Sequence, residues 1–255
     1  MINSYNILKN TQALRVSDQK SVSLFTNYSL ENKLLVLVFS QLGDFDSLEY
    51  AWWLKRFEKE LKEKNIEIRA IGIGDINSGL KFCDYTGFPQ ENLFIDSTAT
   101  IHQELNLYQG LSLKIRLLSQ QQNAWVNLML MCGGVGSKGT LKEVFRGYKG
   151  DKNAPQLIKD KEIIELFPLL SVKGSLFQKA GGKGFQRPFE LATLRLKNMI
   201  EVLNNWKTYV PNTAYITQRG GTFLFDSQGN LIYEHRDAGI LGFSENMSNP
   251  LSFII

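Results

Sequence analysis

The chain has 255 residues, of which 43% are hydrophobic and 21% are charged. These values are ordinary for a soluble globular protein, and they exclude collagen-like and low-complexity chains. The formal net charge of +4 comes from 29 basic and 25 acidic residues. We interpret this excess as spread along the chain without a dense Lys/Arg block, so we expect no nucleic-acid partner.

The cysteines and the apolar runs indicate the compartment. Cys83 and Cys132 are the only cysteines, too few for a disulfide scaffold. The first 20 residues lack the basic and then apolar pattern of a secretory signal. The most apolar run, residues 124–132, is far shorter than the ~20 residues that a membrane-spanning helix needs. We therefore predict a cytoplasmic protein without a transmembrane segment.

The first half of the chain alternates predicted strands and helices. The run "KLLVLVFS", residues 33–40, is typical of a central strand that is covered on both faces. A helix is then predicted from its N-cap Asp46, with Glu49 completing a capping box, to a stop near Asn65. Further strands are predicted at 66–75 and 92–96, and further helices at 76–86 and 97–108. This β-α-β-α-β-α order predicts a sheet with parallel strands.

The second half of the chain has a different pattern. Residues 111–187 combine short helical pieces with glycine-rich loops, and a long helix is predicted from Phe189 to about Trp206. The apolar run 124–132 is predicted to be a helix buried against the sheet. Residues 222–234 predict an antiparallel hairpin. We predict one α/β domain over residues 1–255, in which a helical insertion of about 100 residues, 111–210, precedes the closing hairpin.

Four segments together resemble the peroxiredoxin-like AhpC/TSA family, in the version found in photosynthetic lineages. They are "GDFDSLEYA", "IRAIGIGDINSGLKFCDYTGFPQENLFIDSTATIHQELNL", "QRGGTFLFDSQGNLIYEHRD" and "GFSENMSNPLSFI". The resemblance covers about residues 33–108 and 213–255 and extends into the insertion. It implies a thioredoxin-like fold with a central mixed sheet flanked by helices. It also implies a thiol-dependent antioxidant or reductase activity of redox type.

The residues at the family's reactive position are changed in this chain. Where the family has Gly-Cys-x-x-Cys-x-Glu, Asp44 replaces the first cysteine and Ser47 the second. A helix N-terminus favours any anion, so Asp44 keeps a negative charge, but it cannot form a sulfenic acid or a disulfide. Ser47 would need a neighbouring base to act as a nucleophile. The two residues predict a degenerate active site, and helix capping alone also explains them.

Two other thiols and two histidines are the remaining candidates. Cys83 lies on a predicted helix, either as a small core residue or as a relocated redox thiol, and Cys132 lies at a helix C-terminus, which disfavours a thiolate. His235 is predicted to pair with a strand-end aspartate or to lie at the surface, and His102 to be exposed or packed. Because no metal-ligand spacing and no complete phosphate or dinucleotide motif is present, we expect no cofactor and no metal.

Three functions are compatible with these residues. The first is a binding or regulatory module that has lost cysteine peroxidase chemistry and contacts a small-molecule or protein redox partner. The second is an active thiol oxidoreductase or peroxidase that uses a relocated Cys83 or Cys132. The third is a structural partner in a larger assembly. The sequence does not define the substrate or the oligomeric state.

Overall fold

The computed structural model describes residues 3–167 and 170–254 and has a seven-stranded mixed sheet at its centre. The strands, numbered along the chain, are β1 (Gln12–Arg15), β2 (Ser21–Ser23), β3 (Lys33–Gln41), β4 (Ile66–Ile73), β5 (Leu93–Asp96), β6 (Ile163–Phe167), β7 (Leu170–Lys173), β8 (Gly221–Phe225) and β9 (Leu231–Arg236). The central sheet has the order β2-β1-β5-β4-β3-β8-β9, and β6 and β7 form a separate hairpin.

Helices cover both faces of this sheet. They are α1 (Ser4–Asn10), α2 (Phe45–Arg56), α3 (Glu58–Glu63), α4 (Ile76–Thr86), α5 (Thr100–Glu104), α6 (Gln120–Cys132), α7 (Thr140–Lys149), α8 (Gln178–Gly181), α9 (Glu190–Asn204) and α10 (Trp206–Tyr209). Strands β3, β4 and β5 are parallel, whereas β8 and β9 are antiparallel. The predicted thioredoxin-like architecture, a central mixed sheet flanked by helices, is confirmed.

Strand β3 is the centre of the core. Each residue from 34 to 41 is buried, because β4 and β8 pair with its edges and helices cover its faces. Side chains alternate between the faces. Leu35, Leu37 and Phe39 belong to the core that includes α2 and α4. Leu34 and Val36 belong to a second, smaller core that includes α1 and α5.

The helix after β3 begins and ends differently from the prediction. Asp44, not Asp46, is the N-cap, and its side chain accepts from the Asp46 amide at 3.4 Å. Asp46 is fully buried, and its carboxylate accepts hydrogen bonds from the backbone amides of Leu241 and Gly242. The predicted single helix is also interrupted at Phe57, which separates α2 from α3.

The segment predicted as a helical insertion contains α6 to α10 and also the β6–β7 hairpin, which the sequence did not predict. The predicted long helix is present as α9, and the predicted closing hairpin is present as β8 and β9. Beyond β9 the apolar tail docks on the body, since Phe243, Met247 and Leu251 are fully buried. The boundary of the insertion at 111–210 stays a prediction.

Helix α6 contradicts the prediction that its apolar run is buried against the sheet. Only Asn127 and Met131 of its residues are buried, and Met129 is 58% exposed. It contacts α7 and the 3₁₀ turn Thr213–Tyr215. An all-round apolar helix favours burial, but the sheet face is already occupied by α2 and α4 in the main core.

Candidate functional site

The candidate site lies where β3 ends and α2 begins. Asp44 caps α2, so its carboxylate lies where the unpaired amides of the first helical turn favour a negative charge. The hydroxyl of Ser40, on β3, donates to Asp44 Oδ2 at 2.8 Å. The strand-turn-helix geometry expected from the family resemblance is therefore present, with a carboxylate at the position where the resemblance implies a thiol.

A buried arginine contacts this carboxylate. Arg219 Nη2 lies 2.6 Å from Asp44 Oδ2, and Arg219 is 0% exposed. Its Nη1 lies 3.7 Å from Asp46 Oδ2. Its guanidinium also donates to the carbonyl oxygens of Ile216 and Thr217. Asp44 is therefore neutralised by a fixed internal cation.

The glycine after Arg219 explains how the arginine reaches this position. A Cβ on Gly220 would lie 2.1 Å from the carbonyl oxygen of Val38, so only glycine allows the chain to approach β3 this closely. Gly221 then begins β8, which pairs with β3. The Arg-Gly-Gly sequence thus places the guanidinium beside the carboxyl end of β3.

Ser47 has a structural position. It is fully buried, its hydroxyl donates to the carbonyl oxygen of Gln41 at 3.2 Å, and it lies 3.3 Å from the hydroxyl of Ser40. Neither histidine contacts it, since His102 Nε2 bonds the carbonyl of Phe39 and His235 Nε2 bonds that of Gly242. Ser47 therefore lacks a base among the residues that the structure describes.

Two more carboxylates complete a buried acidic cluster, which we define as Asp44, Asp46 and Asp237 around Arg219. Burial raises the pKa of Asp46 well above its ordinary value, and the charge of Asp44 adds to the effect. Burial likewise raises the pKa of Asp237 to about 7, against the lowering effect of Arg219. One guanidinium cannot balance three ionised carboxylates, so protonation of Asp46 and Asp237 is favoured over a fully ionised cluster.

The sequence analysis did not identify Arg219 or Asp237. The signal for Arg219 was a charged residue directly before two glycines and a buried strand. The predicted pairing of His235 with an aspartate is wrong, because Asp237 accepts from the Gly220 amide at 3.2 Å while His235 bonds the chain beyond β9.

The two cysteines are free and lie in different surroundings. Cys83, on α4, is 5% exposed within the main core, and burial raises the pKa of its thiol to about 12. Cys132 is exposed at the end of α6. The pKa of the Cys132 thiol is raised to about 11, mainly by desolvation and by smaller amounts by the negative charges of Asp44 and Asp46. Of the two thiols, Cys132 is therefore the one beside the acidic cluster.

A cleft of about 380 Å³ opens beside the cluster. Its lining is mostly apolar and comes from α2, α6, α7, α9 and the tail: Phe45, Cys132, Thr140, Val144, Tyr148, Phe189, Ala192, Thr193, Arg195, Leu196, Met199, Ile240 and Leu241. Phe189 and Leu241 have left-handed backbones, with φ of 71° and 59°. Such strain in bulky residues is found at binding and active sites. Arg195 is held by Glu49 through two hydrogen bonds.

Two further features bear on ligands and membranes. Within residues 3–167 and 170–254, no three His, Cys, Asp or Glu side chains are arranged to hold a metal ion. None of the helices in these ranges combines the length and the apolar character needed to cross a bilayer.

Comparison with known proteins identifies a family. The model of the AhpC/TSA antioxidant enzyme family matches residues 53–239, which is more than half of the chain and begins after Asp44 and Ser47. No curated protein matches.

Among solved structures, the chain is similar to Xanthomonas campestris peroxiredoxin Q in a cysteine-to-serine mutant, with 9% identity, a TM-score of 0.41 and coverage of 92% of this chain and 85% of that one. The bacterioferritin comigratory protein of the same organism gives the same values. An uncharacterised conserved protein from Geobacillus kaustophilus has 15% identity, a TM-score of 0.30 and coverage of 37% of this chain and 53% of that one. These similarities are too weak to identify functional residues.

Proposed function

Since this chain belongs to the AhpC/TSA antioxidant enzyme family, we propose that it is a redox-family protein without cysteine peroxidase chemistry at the usual position. It acts instead as a binding or regulatory module for a small-molecule or protein redox partner. The observation that carries this proposal is the 2.6 Å ion pair between Asp44 and the fully buried Arg219. A carboxylate there holds the charge of a thiolate but supplies no sulfur for peroxide reduction.

The surroundings of the site support a binding role. The cleft begins at Phe45, directly after Asp44, and has the size and apolar lining of small-molecule sites. The charged Arg195 at its wall is already paired with Glu49. An uncharged or largely apolar partner therefore fits the cleft best. Two free cysteines also favour the cytoplasm as the compartment.

The test is hydroperoxide consumption by the purified protein, with thioredoxin and thioredoxin reductase or dithiothreitol as the electron donor. We expect no consumption above that of the same protein after heat denaturation. Cys83→Ser and Cys132→Ser serve as matched variants, and neither is expected to change this background. Turnover that disappears in one of the two variants would refute the proposal.

A second function, a thiol oxidoreductase that uses Cys132, is favoured by one observation. Cys132 lines the cleft and is close enough to Asp44 and Asp46 for their charges to raise its pKa. The same charges disfavour the thiolate that such an enzyme needs. Peroxide turnover that is lost in Cys132→Ser but kept in Cys83→Ser would establish this alternative.

A further inference from the structure

One stretch of the chain, residues 105–142, has a net charge of +4, and we call it the basic segment. It contains Lys114, Arg116, Lys138 and Lys142 and no aspartate or glutamate. Residues 166–189 also have a net charge of +4, so the excess is not confined to one segment of the chain. All four basic residues of the basic segment are exposed.

The basic segment also exposes large aliphatic side chains. Residues 112–117 are all exposed, with Leu113 at 51%, Ile115 at 44% and Leu117 at 95%. On the helix that follows, Met129 is 58% exposed. Leu117, directly after Arg116, is left without apolar burial and without any compensating contact inside the described chain.

Helix α6 holds this exposed stretch in a fixed conformation. The side-chain amide of Asn127 donates to the carbonyl oxygen of Leu113 and accepts from its amide, both at 3.0 Å. One turn earlier, Asn123 makes the same pair of bonds with Ile115, at 2.7 and 3.2 Å. These bonds satisfy the backbone amide and carbonyl groups of residues 113 and 115. The backbone that carries the two exposed side chains is therefore already ordered before any partner binds.

From this arrangement we infer that the basic segment is a peripheral contact for an anionic lipid bilayer. Exposed aliphatic side chains enter the acyl boundary, while lysine and arginine pair with anionic headgroups. The charge of the segment is complementary to such a surface because it contains no acidic residue. Nucleic acid fits less well, since single strands are bound by aromatic side chains that stack on bases, and the exposed residues 112–117 include none. The inference does not depend on the proposed function.

Vesicle co-sedimentation tests the inference on the full chain. We expect binding to vesicles of equal parts phosphatidylcholine and phosphatidylglycerol, weakened by high salt, and no binding to phosphatidylcholine alone. The variant K114Q/R116Q should lower the partition coefficient by about 25-fold, since each basic residue near an anionic surface contributes a factor of about five. Leu117→Ser should lower it about tenfold through lost apolar insertion.

Matched controls remove the same properties elsewhere on the surface. K152Q/K161Q makes the same change in net charge at exposed lysines, and Leu30→Ser removes a leucine that is 67% exposed. Both controls should bind like the parent protein, and circular dichroism should show that all variants are folded.

Four results would overturn the inference. They are no binding to either vesicle, equal loss in the control variants, binding only to a single-stranded oligonucleotide, or a dimer in sedimentation velocity that Leu117→Ser dissociates.

Discussion

Arg219 is the residue that allows three carboxylates to share a buried site. Its guanidinium is 0% exposed and contacts Asp44 and Asp46. We expect Arg219→Met to lower the free energy of unfolding by about 3–5 kcal/mol, because removal of one partner leaves buried charge uncompensated. Denaturant unfolding measures the change. Lys59→Met is the control, since Lys59 is 85% exposed in its pair with Glu63 and its loss should have no measurable effect.

Equal stability of the two variants would show that the acidic cluster does not need the buried cation.

Asp237 should make stability fall as the pH rises. Its pKa is about 7 in the folded protein and about 3.9 when unfolded, so its stabilising contribution is complete below about pH 4 and is lost as the pH approaches 7. At about 1.4 kcal/mol per pKa unit, the loss is up to about 4 kcal/mol. Asp237→Asn should lack this dependence while keeping an oxygen that accepts from the Gly220 amide.

The measurement is the difference in unfolding free energy between the parent protein and Asp237→Asn at several pH values. Buried His102, whose pKa is lowered to about 4 by burial, acts in the opposite sense but is common to both proteins. A difference that does not vary between about pH 4 and 7 would contradict the prediction.

The two thiols should react with iodoacetamide at different rates. With a pKa of about 11 and an exposed position, Cys132 should label slowly at neutral pH and faster as the pH rises. Cys83 is in the core and should label only on unfolding. Mass spectrometry of each cysteine peptide after timed labelling distinguishes them. Fast, pH-independent labelling of Cys132 near pH 7 would instead support the thiol oxidoreductase alternative.

At the scale of elements, the sequence predicted best the long elements that have a clear apolar pattern. The predicted strand 33–40 is found at Lys33–Gln41, and the predicted helix from Phe189 to about Trp206 at Glu190–Asn204. The N-terminal strands β1 and β2 have three or four residues with mixed burial, and β6 and β7 are largely exposed. Such short strands are defined by their partner strand, which local periodicity does not reveal.

The amide pairs of α6 should control the order of the stretch before it. We expect N123A/N127A to increase hydrogen exchange at the amides of Leu113 and Ile115, because both amides lose their acceptors. Amides in β3 and β4 should keep their protection. Gln121→Ala, at an exposed position of the same helix, is the control. Unchanged exchange at residues 113 and 115 would show that other contacts hold this stretch.

At the scale of the molecule, the candidate site is assembled from distant parts of the chain. Asp44 and Ser47 were predictable because a local motif contains them. Arg219 and Asp237 were not, because they reach the site only through the pairing of β8 with β3. Similarly, Glu49 on α2 binds Arg195 on α9, 146 residues away. No local pattern reports such tertiary contacts.

The contact between Glu49 on α2 and Arg195 on α9 predicts that the segment 111–210 unfolds together with the sheet. Trp52 and Trp53 lie on α2, whereas Trp125 and Trp206 pack together at 4.6 Å. In W52F/W53F, fluorescence reports the inserted segment, and in W125F/W206F it reports the body. In each variant we expect the fluorescence midpoint to coincide with that of far-ultraviolet circular dichroism. Separate midpoints would show that the segment is an independent unit.

The Asp44–Arg219 contact has a consequence for engineering a reactive thiol into this chain. Asp44→Cys would place a thiol at the N-terminus of α2 beside a fully buried guanidinium, and both features stabilise a thiolate. A single substitution would therefore place a thiol in surroundings that favour its reactive, ionised form.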